Sequence, residues 1–192
     1  MAIETILPDA TTTANPAWSG TPHTLLSDQG RNITTCAGAN INKFIIVSFG
    51  NLTSDIGSIN SITFSVAGNV SVVRGESAVV AFDLLNSSDS SYSLNEDKSF
   101  TDTTFATTQA GTTRTTSDGS TAWTESDVNG LRMQVKYTSI ANPSANISLD
   151  FLKIDVDYNE TVVVIPTYDN TLNNITMNLG TTVISGGTIV LD

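Results

Sequence analysis

The sequence predicts an all-β fold: an antiparallel β-sandwich, jelly-roll-like, with an extended N-terminal arm and a short β-rich C-terminal appendage. Three observations predict it. Apolar and polar residues alternate with period two in several runs, as they do along a strand with one buried face. Turn-forming residues recur between those runs at spacings of about 8–12 residues, the rhythm of sandwiches and barrels. No long 3.6-residue periodicity of the kind an amphipathic helix leaves occurs anywhere in the chain. At 192 residues the chain is long enough for one ordinary domain with a sizeable core.

The elements follow in order. Residues 1–17 are polar and Thr-rich, with Pro8 and Pro16, and are expected as an arm holding at most one short strand, E-T-I-L-P. The sandwich itself is expected over 18–158. Its run N-K-F-I-I-V-S-F-G-N-L (42–52) is nearly continuous in apolar residues, as a strand buried on both faces would be. The run I-N-S-I-T-F-S-V-A-G (59–68) alternates cleanly, with Ile62, Phe64 and Val66 on one face and Thr63, Ser65 and Ala67 on the other. E-S-A-V-V-A-F-D-L-L (76–85) is a further apolar strand. The polar stretches 86–105 and 107–121 can bury little and are expected as surface loops or edge hairpins.

The run A-W-T-E-S-D-V-N-G-L-R-M-Q-V-K-Y (122–137) begins like a helix and ends like a strand. Thr124 and Asp127 have the spacing of a capping box, and Glu125 and Asp127 suit the positive start of a helix. Asn129-Gly130 tolerates positive φ and is expected to stop the helix after one turn. Trp123 is expected to plug the core just before this corner. Leu131, Met133, Val135 and Tyr137 then point inward, with Arg132, Gln134, Lys136 and Thr138 outward. The last strand, 147–158, changes phase. Ile147, Leu149 and Phe151 share one parity, and Leu152, Ile154, Val156 and Tyr158 the other, so a bulge near Phe151–Leu152 is expected to return all of them to the core.

Residues 159–192 differ in character. Three β-prone pieces are separated by Pro166, Gly180 and Gly186-Gly187, and between 161 and 192 the charged side chains are Asp169 and Asp192 alone. They are expected to pair with a neighbouring subunit, since exposed β-prone segments find partner edges. The alternative is that they complete the same sandwich.

The order of landmarks is Trp18, then F-G-N-L-T-S-D-I-G-S-I-N-S-I-T-F-S-V-A-G, then the corner at Trp123–Asn129, then S-L-D-F-L-K-I-D-V-D-Y. Over roughly residues 18–158 this resembles a β-sandwich domain of tailed-bacteriophage structural proteins, most like a capsid decoration (cement) protein. The most specific part is Trp123–Asn129 followed by Leu149–Tyr158. The resemblance implies a non-enzymatic virion structural protein on the capsid surface, made in the host bacterial cytoplasm. It implies the major capsid protein as partner and self-association, as a homotrimer. The tail after Tyr158 is longer than the bare domain needs and matches nothing in the pattern. Contacts are therefore expected in the arm, at Ile3, Ile6 and Leu7, and in the tail, at Val162, Val164, Ile165, Tyr168, Ile175, Met177, Val183 and Ile189.

Composition narrows the partners. Lys and Arg number 8 against 19 Asp and Glu, a net charge of −11. The bases are scattered and form no stripe that would neutralise phosphates, so neither nucleic acid nor an anionic membrane is an expected partner. Ser and Thr make up about a quarter of the chain, above usual usage, which gives a polar but weakly charged surface. The lone Cys36 leaves no intrachain disulfide, and the first residues lack the basic and apolar regions of a signal peptide.

Chemistry is sparse. His23 is the only histidine and sits beside Pro22 in an expected loop, so any triad would have to use it. Cys36 reads as a small buried residue. Asp150, Asp155 and Asp157, with a loop carboxylate such as Asp89 or Asp102, lack the order of a calcium loop and read as a solvated face. No catalytic residue, metal ligand or cofactor is expected. The competing reading is a tail- or fibre-associated carbohydrate- or receptor-binding module, for which Tyr92, Phe100 and Phe105 would be the sugar-facing aromatics.

Overall fold

The computed structural model describes residues 1–27, 34–37, 40–71, 77–105, 108–140 and 145–162. The elements in chain order are β1 (Ala2–Ile6), β2 (Pro8–Thr13), α1 (Pro22–Leu26), β3 (Thr34–Ala37), β4 (Phe44–Phe49), β5 (Ile56–Val70), β6 (Ala78–Leu85), β7 (Glu96–Phe100), β8 (Thr108–Ala110), α2 (Glu125–Asn129), β9 (Arg132–Ile140) and β10 (Asn146–Glu160). One sheet has the order β1-β10-β5-β8, with β3 also on β10; the other has β2-β4-β9-β6-β7. All of these pairings are antiparallel. The result is an all-β sandwich of two antiparallel sheets. The finer jelly-roll order is not established by these pairings.

Alternation fixes which face each strand buries. From the first sheet Ile62, Phe64, Val66, Leu152, Ile154 and Val156 enter the core; from the second Ile45, Val47, Val80, Phe82, Met133, Val135 and Tyr137 meet them. The two-sided burial expected of 42–52 is present in β4, where Ile45, Ile46 and Val47 are all buried. Of the polar stretches, 96–100 and 108–110 form the edge strands β7 and β8.

β10 is the spine of the first sheet. One side pairs with β5 along its length, from Ile147↔Val70 to Glu160↔Ile56. The other side pairs with β3 over Asn146–Leu149 and with β1 over Ile154–Tyr158. The bulge expected near Phe151–Leu152 falls one residue earlier: Leu149 pairs with Gly68 and Phe151 with Ala67, so Asp150 is the extra residue. Ile147 and Leu149 stay inward, and Leu152 resumes the inward phase. Phe151 is thereby turned to the other face; it is buried but stands outside the main core cluster.

Within residues 1–17, Ala2–Ile6 and Pro8–Thr13 are strands of the sandwich rather than an arm. β1 lies on β10 and β2 on β4, and the chain changes sheet at Leu7. Five or six residues of mixed polarity carry too little periodicity to announce an edge strand. The chain divides into one unit over Met1–Glu160 and another over Thr161–Asp192, so the sandwich takes in the first 17 residues. Of the second unit only Thr161 and Val162 are among the described residues, and the alternative that the tail completes the sandwich lies outside them.

The ends of the sandwich are plugged. α1 packs against β2, β3, β4 and β10, with Leu26 fully buried. At the far end of the β5–β10 pair, α2 starts as expected: Thr124 Oγ1 accepts from Asp127 N at 3.1 Å, and Thr124 N donates to Asp127 Oδ2 at 3.0 Å. Val128 and Trp123 are buried beneath it. The stop differs from expectation, because Gly130 has φ −103 and uses no left-handed freedom. Its smallness serves a close approach instead: a Cβ there would lie 3.2 Å from Ser87 Cβ and 3.3 Å from Ser126 O.

β7 and β8 belong to different sheets, and side chains stitch that flank. Lys98 Nζ donates to Ala110 O and Gln109 Nε2 to Ser99 O, both at 2.8 Å. Glu96 accepts from Thr112 N at 2.8 Å and from Arg114 at 3.0 Å, and pairs with Lys98 at 3.0 Å. Partial burial pushes the Glu96 carboxyl up, but the bonds from Thr112 and Lys98 outweigh it, and its pKa is lowered from 4.5. A lowered folded pKa means that the unfolded chain binds the proton more readily. The contribution to stability is present above about pH 4.5 and lost as pH falls through the folded value. Glu96→Gln should therefore flatten the acid limb: between neutral pH and about pH 3 its melting temperature should fall less than that of the unsubstituted chain. Equal acid sensitivity in thermal melts of the two proteins would count against this seam.

Candidate contact surface

Three exposed apolar side chains lie on or beside one edge strand. Among the described residues the large exposed hydrophobics are Met1 (92%), Ile3 (70%), Val162 (68%), Leu7 (38%) and Ile41 (38%); Met1, Ile3 and Leu7 lie on or beside β1. Within A-I-E-T-I, parity sorts the side chains. Ile6 enters the core at 3% exposure, whereas Ile3 stands on the opposite face. Ile6 is thus a core residue and not a contact residue, a correction to the sequence expectation; Ile3 and Leu7 are exposed. Val164, Ile165, Tyr168, Ile175, Met177, Val183 and Ile189 lie outside the described residues.

β1 is held firmly from behind. The Glu4 carboxylate accepts from Thr53 N and Thr53 Oγ1 at 2.8 Å each, and from Ser54 N at 3.3 Å. Slight burial raises its pKa, but these bonds dominate and the net direction is down. Thr5 Oγ1 donates to Asp155 Oδ1 at 2.5 Å, and Asp155 pairs with Lys153 at 2.6 Å. Glu4 as the clasp of the 53–54 loop was not legible in the sequence, since its partners are nearly 50 residues away.

Close to the end of β10 runs a shallow groove of about 320 Å³, lined by Ile56–Ile59 and Ala122–Glu125. Gly57 in its wall faces the Asn159 and Glu160 carbonyls. The Trp123 indole donates to Arg114 O at 3.0 Å and meets Tyr92 edge-on, with centroids 5.2 Å apart. Burial, then the neighbouring Asp127 carboxylate, pushes the Tyr92 phenol up to about 12.

The aromatics of the competing reading do not form a platform. Phe100 is 2% exposed, because β7 is a paired strand whose last residue turns inward. Tyr92 and Phe105 are half-buried. Phe100 therefore cannot face a sugar, which corrects that expectation.

The remaining chemical candidates are placed as follows. His23 lies in α1 rather than in a loop; Pro22 at the first helical position was the available signal. Its Nδ1 is 2.9 Å from Thr11 Oγ1, which also accepts from His23 N at 3.1 Å. Cys36 is fully buried, and burial pushes its thiol up to about 11, away from thiolate chemistry at neutral pH. Asp157 accepts from Asn60 Nδ2 at 3.2 Å, Asp89 pairs with Arg132 at 2.7 Å, and Asp150 is buried at the bulge. No group of three or more His, Cys, Asp or Glu able to hold a metal ion occurs among the described residues. No protein-family model matches this chain, and no curated protein matches it.

Proposed function

We propose that this is a non-enzymatic virion structural protein: a decoration, or cement, protein that binds the outer face of a tailed-bacteriophage capsid shell and stabilises it, as a homotrimer. Its partners are the major capsid protein and further copies of itself. The observation that carries the reading is the exposure of Met1, Ile3 and Leu7 on and beside the edge strand β1 of the sandwich. Scattered apolar residues are ordinary on a surface, whereas several along one edge strand point to a contact site. The kind of assembly rests on the resemblance of the landmark order to phage sandwich domains. A net charge of −11 with few bases suits a protein held soluble at high copy number.

The test is the copy number of this chain in purified virions, by quantitative mass spectrometry against the major capsid protein. Near-stoichiometric abundance is expected. A handful of copies per particle would move the protein to the tail or fibre and revive the receptor-binding reading. Absence from virions would end both.

A further inference from the structure

We propose that the outer edge of β1, which pairs with no strand among the described residues, is completed by residues 161–165 of a second copy of this chain, so that subunits assemble head to tail by strand addition. The inference rests on the cement-protein reading and names the contact that holds its subunits together.

A sheet edge offers unpaired N–H and C=O groups to any passing strand, and monomeric proteins blunt such edges with bulges, proline, charge or very short strands. Three of the edges here are blunted. β2 starts at Pro8 and carries two register irregularities against β4. β7 reads Glu-Asp-Lys and is stitched across to Ala110, Thr112 and Arg114. β8 is three residues long. β1 has no proline and no bulge. Its register with β10 runs without interruption from Ala2 to Ile6, and no strand among the described residues lies on its other side. Its one charge, Glu4, is engaged with the 53–54 loop. Ile3 projects 70% exposed beside this edge.

The sequence supplies a matching β-prone run. After β10 it continues as T-V-V-V-I (161–165), β-branched and uncharged, and Val162 is already 68% exposed. To pair antiparallel with its own β1, this run would have to lie parallel to β10. A parallel return needs a crossover of about a dozen residues or more, and 161–165 follows Glu160 directly. The run of a second copy is under no such constraint. Two different segments meeting across the contact, β1 of one copy and residues 161–165 of the next, make it heterologous, and such a contact closes into a ring such as a trimer when the rotation permits.

The experiment uses the full chain. Native mass spectrometry and light scattering across a concentration series should show an oligomer, and Ile3→Lys should raise the concentration needed for assembly by about tenfold or more. Because Ile3 is exposed, the melting temperature of the dissociated variant should match that of the dissociated parent. Mixing the single variant Ile3→Cys with Val162→Cys or Val164→Cys under mild oxidant should give disulfide-linked heterodimers, with Cys36 buried and silent. The proposal is overturned by a parent chain that stays monomeric, by Ile3→Lys assembling like the parent, or by no heterodimer with either tail variant. Linked homodimers of Ile3→Cys alone would assign the edge to a second β1 and overturn it equally. An oligomer built this way but missing from virions would sink only the cement reading; a virion component whose assembly ignores Ile3 would sink only this inference.

Discussion

Phe82→Ala should cost the folded chain about 3–5 kcal/mol, the usual range for removing a buried ring. Phe82 is fully buried on β6, between β9 and β7, and its ring meets Phe64 from the opposite sheet at 5.4 Å between centroids. The pair is where the two layers interlock. Truncating one ring leaves a cavity that the sheet backbones, pinned on both sides, cannot close. Urea unfolding of the full chain should show a lower midpoint with an unchanged slope, since the slope follows the surface exposed on unfolding. A loss under about 1 kcal/mol would mean that the layers do not depend on this contact.

Gly111→Ala should cost about 2–3 kcal/mol by the opposite route, overpacking. Gly111 follows β8, and a methyl group built there would overlap the Phe64 ring. Neither party can yield easily. Gly111 N donates to Phe64 O at 2.8 Å, and Arg114 and Ile62 exchange two further backbone bonds, so the segment is fixed to β5. The Phe64 ring is backed by Phe82. The cost should fall sharply when Phe64→Leu is made in the same chain, giving a non-additive double-mutant cycle. Additive losses would show that the segment moves away and that the ring is not what the methyl group meets.

Much of this architecture was legible in the sequence, and what was not has physical reasons. Leu131–Tyr137 gave both the strand and its inward face, because four large apolar residues at strict alternation admit one placement. Thr124–Asp127 gave a helix start from chemistry confined to four residues. The phase change in β10 demanded a bulge, but parity alone could not decide between Asp150 and its neighbours; the pairing with Gly68 and Ala67 decides it. β1 and β2 escaped because their partners lie far along the chain, and edge pairing leaves no local trace. At the candidate surface, Ile3 and Leu7 are exposed, whereas Ile6 is core. Once 2–6 is a strand, residues three apart face opposite ways. Phe100 departs from its expected exposure for a related reason: the polar run around it fits a surface loop or an edge hairpin equally, and only the pairing with Ala78 makes it core.

The placement of β10 has a consequence for biosynthesis. Among the described strands it is the last to be made, yet β1 and β3 have no other strand partner among the described residues. The described strands of the second sheet end at Ile140, whereas the first sheet still lacks the strand that joins β1 and β3 to β5. At translation rates of about 5–20 residues per second, the wait for that strand is short compared with the slow end of non-local β folding. Folding should therefore wait for β10: a nascent chain stalled before Asn146 should be open to protease and bound by chaperones, and protease resistance should appear in one step once Asn146–Glu160 is available.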